Sequence, residues 1–206
     1  MSDYTYEFER HYETRETYEW DNVWWDQANV KQATRVLYIG DSISCATRRV
    51  ATQVSGNTLL FDGFGTSKAV DNPYFMKSLR LFAEQEGERH VVLFNNGLHG
   101  WHLEDQSDYA RAYEDFLVQL LEEFKGTPEM LLLTTHVADG ERDKRVQVRN
   151  EGVSALAKKY DLPVIDLYSV TKEHAELLSS DGVHLLPEGY RLLAEALVDR
   201  VKEQLS

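Results

Sequence analysis

The sequence predicts an α/β protein in which a five-stranded parallel sheet lies between two layers of helices. Two observations support this prediction. From residue 35 onward, short apolar runs suited to buried strands alternate with longer segments whose apolar residues recur at helical spacing. Polar clusters rich in Gly, Asp, Ser and Asn also follow several of these runs, as they do where the strands of an open parallel sheet end. Such alternation places helices on both faces of a parallel sheet and makes a three-layer α/β/α sandwich.

The predicted elements follow one another without an internal repeat or a low-complexity linker. The first strand is the apolar run 36–39, which ends at Gly40. The helix at 107–125 carries apolar residues along one face, and Gly126 and Pro128 end it. The other predicted strands are 58–61, 90–94, 129–135 and 164–166, and the other helices are 44–53, 73–84, 143–160 and one that starts at Pro187. Right-handed crossovers between five strands favour the flavodoxin-like order 2-1-3-4-5.

Composition limits the range of partners. The 206 residues carry a net charge of −13, which disfavours binding to nucleic acid or to anionic membranes because both depend on Lys and Arg. The amino terminus lacks the basic and apolar regions of a secretory signal, and no apolar run approaches the length of a membrane span. The single cysteine, Cys45, excludes an intramolecular disulfide and a Cys-based zinc site. We therefore expect a cytoplasmic protein that binds neither nucleic acid nor membranes.

The first 34 residues differ from the rest of the chain. Residues 1–30 contain three of the four Trp, several Tyr and no Leu or Ile, which is not the composition of a core element of a parallel sheet. Aromatic side chains with polar tips suit a strap on the domain, a homodimer contact or a flap over a pocket. The sequence thus predicts an aromatic, acidic extension at 1–34 that packs on a domain formed by 35–206.

The first predicted strand runs directly into Gly40-Asp41-Ser42. A strand that ends in this way leaves a hydroxyl at the carboxyl edge of the sheet, near the free N–H groups of the next helix. Ser42 is therefore a candidate nucleophile. The alternative is that Asp41 or Ser42 serves only as a helix N-cap.

A second polar cluster, which contains Asp181 and His184, precedes the last helix. Nucleophilic catalysis by a serine needs an imidazole to accept its proton and a carboxylate to orient that imidazole. Asp181 and His184 could supply both groups to Ser42 from a single turn. The alternative is a surface turn, since Asp is common before helices.

Acyl transfer also needs hydrogen-bond donors for the developing oxyanion. Candidates follow three of the predicted strands, and the Asn and Gly among them are equally typical of a simple turn. They are the Ser42 N–H, the N–H of Gly63 or Gly65, and the side chain of Asn95, Asn96 or His99.

These motifs resemble those of the SGNH (GDSL-type) hydrolases, in order and spacing over residues 35–206. Gly40-Asp41-Ser42-Ile43 is similar to the first block of the family, Gly63 or Gly65 to the second, and Asp181-Gly182-Val183-His184 to the last. The third block is normally Gly-x-Asn-Asp, whereas here it reads Gly97-Leu98-His99-Gly100. The chain therefore resembles a branch with Asn-x-Gly-Leu-His, in which His99, Asn96 or Asn95 competes for the place of the oxyanion Asn.

The resemblance implies an α/β/α hydrolase without a cofactor or metal. It would cleave an ester of a small molecule, such as an acetylated sugar, through an acyl-enzyme on Ser42. An acyltransferase and a non-catalytic carbohydrate-binding relative are the alternatives. Asp41, Trp101 and His136 are expected to line the pocket. Four His could converge near the same edge, but a metal-binding spacing such as His-Glu-x-x-His is missing.

Overall fold

A six-stranded sheet lies at the centre of the computed structural model, which describes residues 10–12, 15–16 and 18–206. The strands are β1 (Arg10–Tyr12), β2 (Arg15–Glu16), β3 (Asp21–Trp24), β4 (Thr34–Gly40), β5 (Leu59–Thr66), β6 (Val91–Phe94), β7 (Glu129–Leu132) and β8 (Val164–Ile165). The helices are α1 (Ser42–Val54), α2 (Phe75–Glu86), α3 (Gln106–Glu123), α4 (Gly140–Tyr160), α5 (Leu167–Glu173) and α6 (Pro187–Leu205), with a 3₁₀ turn at Ala175–Leu177. Strands β1 and β2 form a separate hairpin.

Five of the six strands are parallel and follow the order β5-β4-β6-β7-β8. This is the predicted order 2-1-3-4-5, and the prediction is confirmed. The register pairs Gly40 of β4 with Gly65 of β5, and Ile39 of β4 with Phe94 of β6. The loops that follow these three strands therefore leave the same edge of the sheet side by side.

Strand β4 is buried on both faces, as expected for the centre of a parallel sheet. Val36 and Tyr38 belong to an apolar cluster shared with α1, α5 and α6. Leu37 and Ile39 belong to a second cluster shared with α2, α3 and α4. The two clusters lie on opposite faces of the sheet, which confirms the three-layer arrangement. None of the helices in the described part of the chain is both long and apolar enough to cross a membrane.

The sixth strand, β3, was not predicted. It pairs antiparallel with β5, with Asn22 opposite Gly65 and Trp24 opposite Gly63, and its side chains are largely exposed. An exposed edge strand of four residues lacks the apolar alternation by which strands are recognised in a sequence. Residues 21–24 of the predicted extension thus form the edge of the sheet, while residues 1–9, 13–14 and 17 lie outside the described residues.

The edge strand also explains why β5 is longer than predicted. The expected strand was 58–61, but pairing continues through Thr66, and every residue of Leu59–Thr66 is buried. Gly63 and Gly65 suit a loop in the sequence because glycine is rare inside strands. Here they leave room for helix α1: a Cβ on Gly63 would overlap with the Arg48 side chain, and one on Gly65 with Cys45 Sγ.

Candidate active site

Ser42 is the first residue of helix α1, directly after the central strand β4. Asp41 is the N-cap, with an extended backbone, and its Oδ1 accepts a hydrogen bond from the Ile43 N–H at 2.9 Å. The Ser44 hydroxyl donates to the Asp41 carbonyl at 2.7 Å. Capping is therefore carried out by Asp41, which leaves the Ser42 side chain available for another role.

The structure brings Ser42, His184 and Asp181 into one hydrogen-bonded chain, although Ser42 and His184 are 142 residues apart. His184 Nε2 lies 2.7 Å from Ser42 Oγ, and His184 Nδ1 lies 2.7 Å from Asp181 Oδ2. One imidazole nitrogen thus faces the hydroxyl and the other faces the carboxylate. This is the geometry that an activated serine nucleophile requires.

The Asp181 carboxylate is held by several donors. Burial opposes its ionisation, but hydrogen bonds from the Val183 N–H at 2.9 Å, from His184 and from the Ser179 hydroxyl at 2.8 Å outweigh it and lower the pKa of Asp181. Asp181 is therefore negatively charged at neutral pH, and a charged carboxylate keeps His184 Nδ1 protonated as a donor.

Contacts with the loop after β7 position the Asp181–His184 turn. The Ala138 N–H donates to the Gly182 carbonyl at 2.8 Å, and Gly182 has φ +73° with the Ala138 Cβ against it. A side chain at position 182 would be strained and would also press on Ala138. The glycine of the Asp-Gly-Val-His sequence therefore lets the turn sit close to the sheet.

Of the two glycines predicted to donate to an oxyanion, Gly65 is the one beside the nucleophile. A Cβ on Gly65 would lie 3.5 Å from the Asp41 carbonyl oxygen, which belongs to the same peptide group as the Ser42 N–H. Gly63 lies two residues further down β5 and faces Arg48. Cys45 packs against Gly65, and burial raises the pKa of its thiol, so it is held in the neutral form.

The two asparagines after β6 have structural partners. Asn95 donates its amide hydrogens to the Leu132 carbonyl at 2.8 Å and to Thr134 Oγ1 at 3.1 Å. Asn96 is fully buried and donates to the Lys68 carbonyl at 2.9 Å. Both side chains tie neighbouring loops together. Neither presents an amide group on the surface of the site.

Burial raises the pKa of the Asp41 carboxyl group, and electrostatic attraction to His99 opposes that rise. The turn that carries His99 is clamped by Arg149, whose guanidinium donates to the carbonyls of Gly97, His99 and Gly100 at 2.7 to 2.8 Å. Burial lowers the pKa of Arg149 to about 10. Sequence reasoning missed Arg149, because a single Arg within an amphipathic helix gives no sign that it binds backbone 50 residues away.

The two predicted pocket residues Trp101 and His136 differ in their surroundings. The Trp101 ring is buried, with the guanidinium of Arg149 over its face at 4.4 Å and that of Arg145 at 4.9 Å. It therefore belongs to the packing beneath the loop and does not form an exposed wall. His136 lies in the loop after β7, two residues before Ala138, and its side chain is 17% exposed.

Metal binding has no support among the described side chains, which contain no group of three or more His, Cys, Asp or Glu placed to hold an ion. Three of the four His that could have converged contact different carboxylates, and His184 is the one beside Asp181. His102 Nε2 lies 2.5 Å from Asp71 Oδ2, and His136 Nδ1 lies 2.7 Å from Asp143 Oδ1.

Asp41 is expected to make stability depend on pH. Burial raises the pKa of its carboxyl group, and its Oδ2 has no hydrogen-bond partner among the described residues. A raised pKa in the folded state means that the free energy of unfolding falls as pH rises from about 4, the ordinary Asp value, through the raised value. Asp41→Asn keeps the cap and removes the charge, so urea unfolding should show a smaller decline from pH 4 to pH 8.

Asp41→Ala is the matched comparison, because it removes the charge and the cap together. It should lose about 1 kcal/mol relative to Asp41→Asn at both pH values. Parallel pH curves for the wild type and Asp41→Asn would contradict the assignment of this pH dependence to Asp41.

Comparisons with known proteins agree on the fold. No protein-family model and no curated protein matches the sequence. Among solved structures, the acetyl xylan esterase AlAXEase superposes with a TM-score of 0.63 at 18% identity, covering 81% of this chain and 99% of that one. A member of the lipolytic G-D-S-L family from Veillonella parvula gives 0.64 at 19% identity, with 81% and 97% covered.

A third structure is the catalytic domain of peptidoglycan O-acetyltransferase A from Streptococcus pneumoniae, with a TM-score of 0.62 at 16% identity and coverage of 83% and 94%. Identities this low establish the fold. The chain thus has the SGNH (GDSL-type) hydrolase fold that its motifs predicted, with an additional edge strand.

Proposed function

We propose that this protein is a serine esterase that hydrolyses an acetyl or other short acyl ester of a carbohydrate or similar small molecule. The observation that carries the proposal is the chain of two 2.7 Å hydrogen bonds from Ser42 through His184 to Asp181. The same fold in an acetyl xylan esterase and a peptidoglycan O-acetyltransferase supports the choice of substrate class.

In the proposed reaction, His184 Nε2 takes the proton of Ser42 as Oγ attacks the ester carbonyl carbon. The negative charge that develops on the carbonyl oxygen is stabilised by the Ser42 N–H, while the Gly65 N–H serves the pairing of β5 with Asn22 of β3. His184 then gives its proton to the departing alcohol, which leaves an acyl group on Ser42. A water molecule, deprotonated by His184, attacks that acyl group and releases the carboxylic acid and the free serine.

Hydrolysis is favoured over acyl transfer by the openness of the site. The side chains of His184 and Asp181 are 42% and 52% exposed, so water reaches the base that would activate it. Enzymes that avoid hydrolysis of a reactive intermediate exclude water. Product analysis with an acetylated donor and a free sugar acceptor separates the two reactions, and a majority of transferred acetyl groups would favour the transferase.

A fluorophosphonate probe tests the proposed nucleophile directly, since it forms a covalent bond only with an activated serine. We expect labelling of the wild type and complete loss of labelling in Ser42→Ala. Ser44→Ala is the matched control, because it removes a hydroxyl two residues away and should retain labelling. An unlabelled wild-type protein that also fails to cleave p-nitrophenyl acetate would instead favour a non-catalytic binding protein.

We also propose that His136 binds the alcohol part of the substrate. Its Nδ1 is held by Asp143, whose carboxylate also accepts from Tyr168 at 2.8 Å and Gln147 at 2.9 Å. With Nδ1 as donor, Nε2 is an acceptor for a sugar hydroxyl.

His136→Ala should raise KM for an acetylated sugar by about 3- to 10-fold, the value of one hydrogen bond. It should leave KM for p-nitrophenyl acetate unchanged, because that ester has no free hydroxyl. His174→Ala, a more exposed histidine, is the control. Equal effects of His136→Ala on both substrates would argue against the role.

A further inference from the structure

Trp20 comes from the N-terminal extension but lies at the carboxyl end of β5, beside the proposed oxyanion site. Both its backbone N–H and its backbone carbonyl form hydrogen bonds with residues at the end of β5 or just after it. The Trp20 N–H donates to Ser67 Oγ at 2.9 Å, and the Trp20 carbonyl accepts from the Ser67 N–H at 3.2 Å and from Thr66 Oγ1 at 3.0 Å. The residue therefore continues the pairing of β3 with β5 up to the edge of the site.

The next residue along the chain strengthens this attachment. Asp21 Oδ1 accepts hydrogen bonds from Thr66 Oγ1 and from Lys68 Nζ, both at 2.7 Å. The Lys68 carbonyl in turn accepts from the Asn96 side chain at 2.9 Å. The position of Trp20 is thus coupled to the loops after both β5 and β6.

The Trp20 ring lies against Gly65. Its Cζ3 atom is 3.5 Å from the point where a Cβ on Gly65 would be, and that point is also 3.5 Å from the Asp41 carbonyl oxygen. The Asp41 carbonyl and the Ser42 N–H belong to one peptide group. The ring therefore lies near the peptide that carries the proposed Ser42 donor, and it remains partly exposed.

This position has a consequence for the acyl group. An ester whose carbonyl oxygen contacts the Ser42 N–H must place its acyl chain near the peptide that joins Asp41 and Ser42, which lies against Gly65. A large, rigid indole fixed beside Gly65 removes volume that a long chain would need. We propose that Trp20 forms the wall of the acyl pocket and restricts the substrate to acetyl and similarly short acyl esters, an inference that rests on the proposed esterase function.

The test is the acyl-length preference of Trp20→Ala, measured as kcat/KM for p-nitrophenyl acetate, butyrate and octanoate. Removing the indole should raise the butyrate-to-acetate ratio by about 10-fold or more, the size of effect that chain length has in apolar pockets. Activity on acetate should change by less than about 3-fold, because the triad and the Ser42 N–H are untouched.

Trp25→Ala is the matched control. It removes a Trp of the same extension that packs on Phe82, with ring centroids 5.2 Å apart, and it should leave the ratio unchanged. Trp20→Phe keeps an aromatic ring of smaller size and should give an intermediate ratio. It also keeps the test valid if Trp20→Ala does not fold, which circular dichroism will show.

The outcomes distinguish the two proposals. A folded Trp20 variant that cleaves acetate with an unchanged ratio overturns the acyl-wall inference and leaves the esterase proposal intact. A wild-type protein that cleaves none of the three esters and does not react with the fluorophosphonate probe overturns both.

Discussion

Ser42→Ala and His184→Ala are each expected to lower kcat for ester hydrolysis by about 10⁴- to 10⁶-fold, with little change in KM. Without Ser42 the acyl group has no covalent acceptor. Without His184, the hydroxyl keeps its proton at neutral pH and the departing alcohol receives none. Both changes remove groups that act in the transition state, which is why the effect falls on kcat.

The double variant gives the sharper test. Because the 2.7 Å contact makes Ser42 and His184 parts of one mechanism, removing both should cost about as much as removing either one. Multiplicative losses would mean that the two residues act independently. Unfolding curves of all three variants provide the control, since the Ser42 and His184 side chains contribute little to the core and stability should change by less than about 1 kcal/mol.

Asp181→Asn extends the same experiment. An amide in place of the carboxylate would allow the wrong imidazole tautomer, with the proton on the nitrogen that faces Ser42. We expect a loss of about 10²- to 10⁴-fold in kcat, smaller than that of the other two variants.

His99→Ala is expected to lower kcat by about 10²- to 10³-fold, the usual cost of one oxyanion donor. His99 is the third-block candidate that interacts electrostatically with Asp41, the N-cap of the helix that begins at Ser42. The imidazole would donate a hydrogen bond to the developing oxyanion together with the Ser42 N–H.

The comparison with Asn96→Ala decides whether His99 or Asn96 is the side-chain donor to the oxyanion. If His99 is the donor, Asn96→Ala should lower stability, because a buried bridge to the Lys68 carbonyl is lost, and should change kcat by less than about 10-fold. A larger loss of kcat in Asn96→Ala than in His99→Ala would assign the role to Asn96.

Arg149→Lys tests whether the contacts of Arg149 position the turn that carries His99. Lysine keeps the charge but cannot reproduce the forked contacts with three carbonyls. If the clamp positions His99, this variant should lower kcat through His99, and it should cause little further loss when combined with His99→Ala.

The strand order and the position of Ser42 at the carboxyl edge of the sheet could be predicted from the sequence because both depend on local patterns. Apolar runs mark the strands, and the polar residues that follow each run must meet at one edge once the strands are parallel. The pairing of Ser42 with Asp181 and His184 follows from that rule together with the spacing of the last motif.

Other features depend on contacts that no local pattern reveals. β3 is an edge strand because its backbone pairs with β5, more than 35 residues away, while its side chains remain exposed. Trp101 reads as a pocket residue in the sequence, yet two arginines from α4 cover it. The carbonyl groups that Asn95 and Asn96 bind, those of Leu132 and Lys68, likewise lie far from them in the sequence.

The sequence alone therefore determined the order of the parallel sheet and the three residues that meet at its edge, since strand periodicity and motif position are local properties. The surroundings of those three residues depend on tertiary contacts. The Arg149 clamp, the position of Trp20 beside Gly65 and the pairing of β5 with β3 all arise from hydrogen bonds and packing between residues about 40 or more positions apart, which form only when the whole chain is assembled.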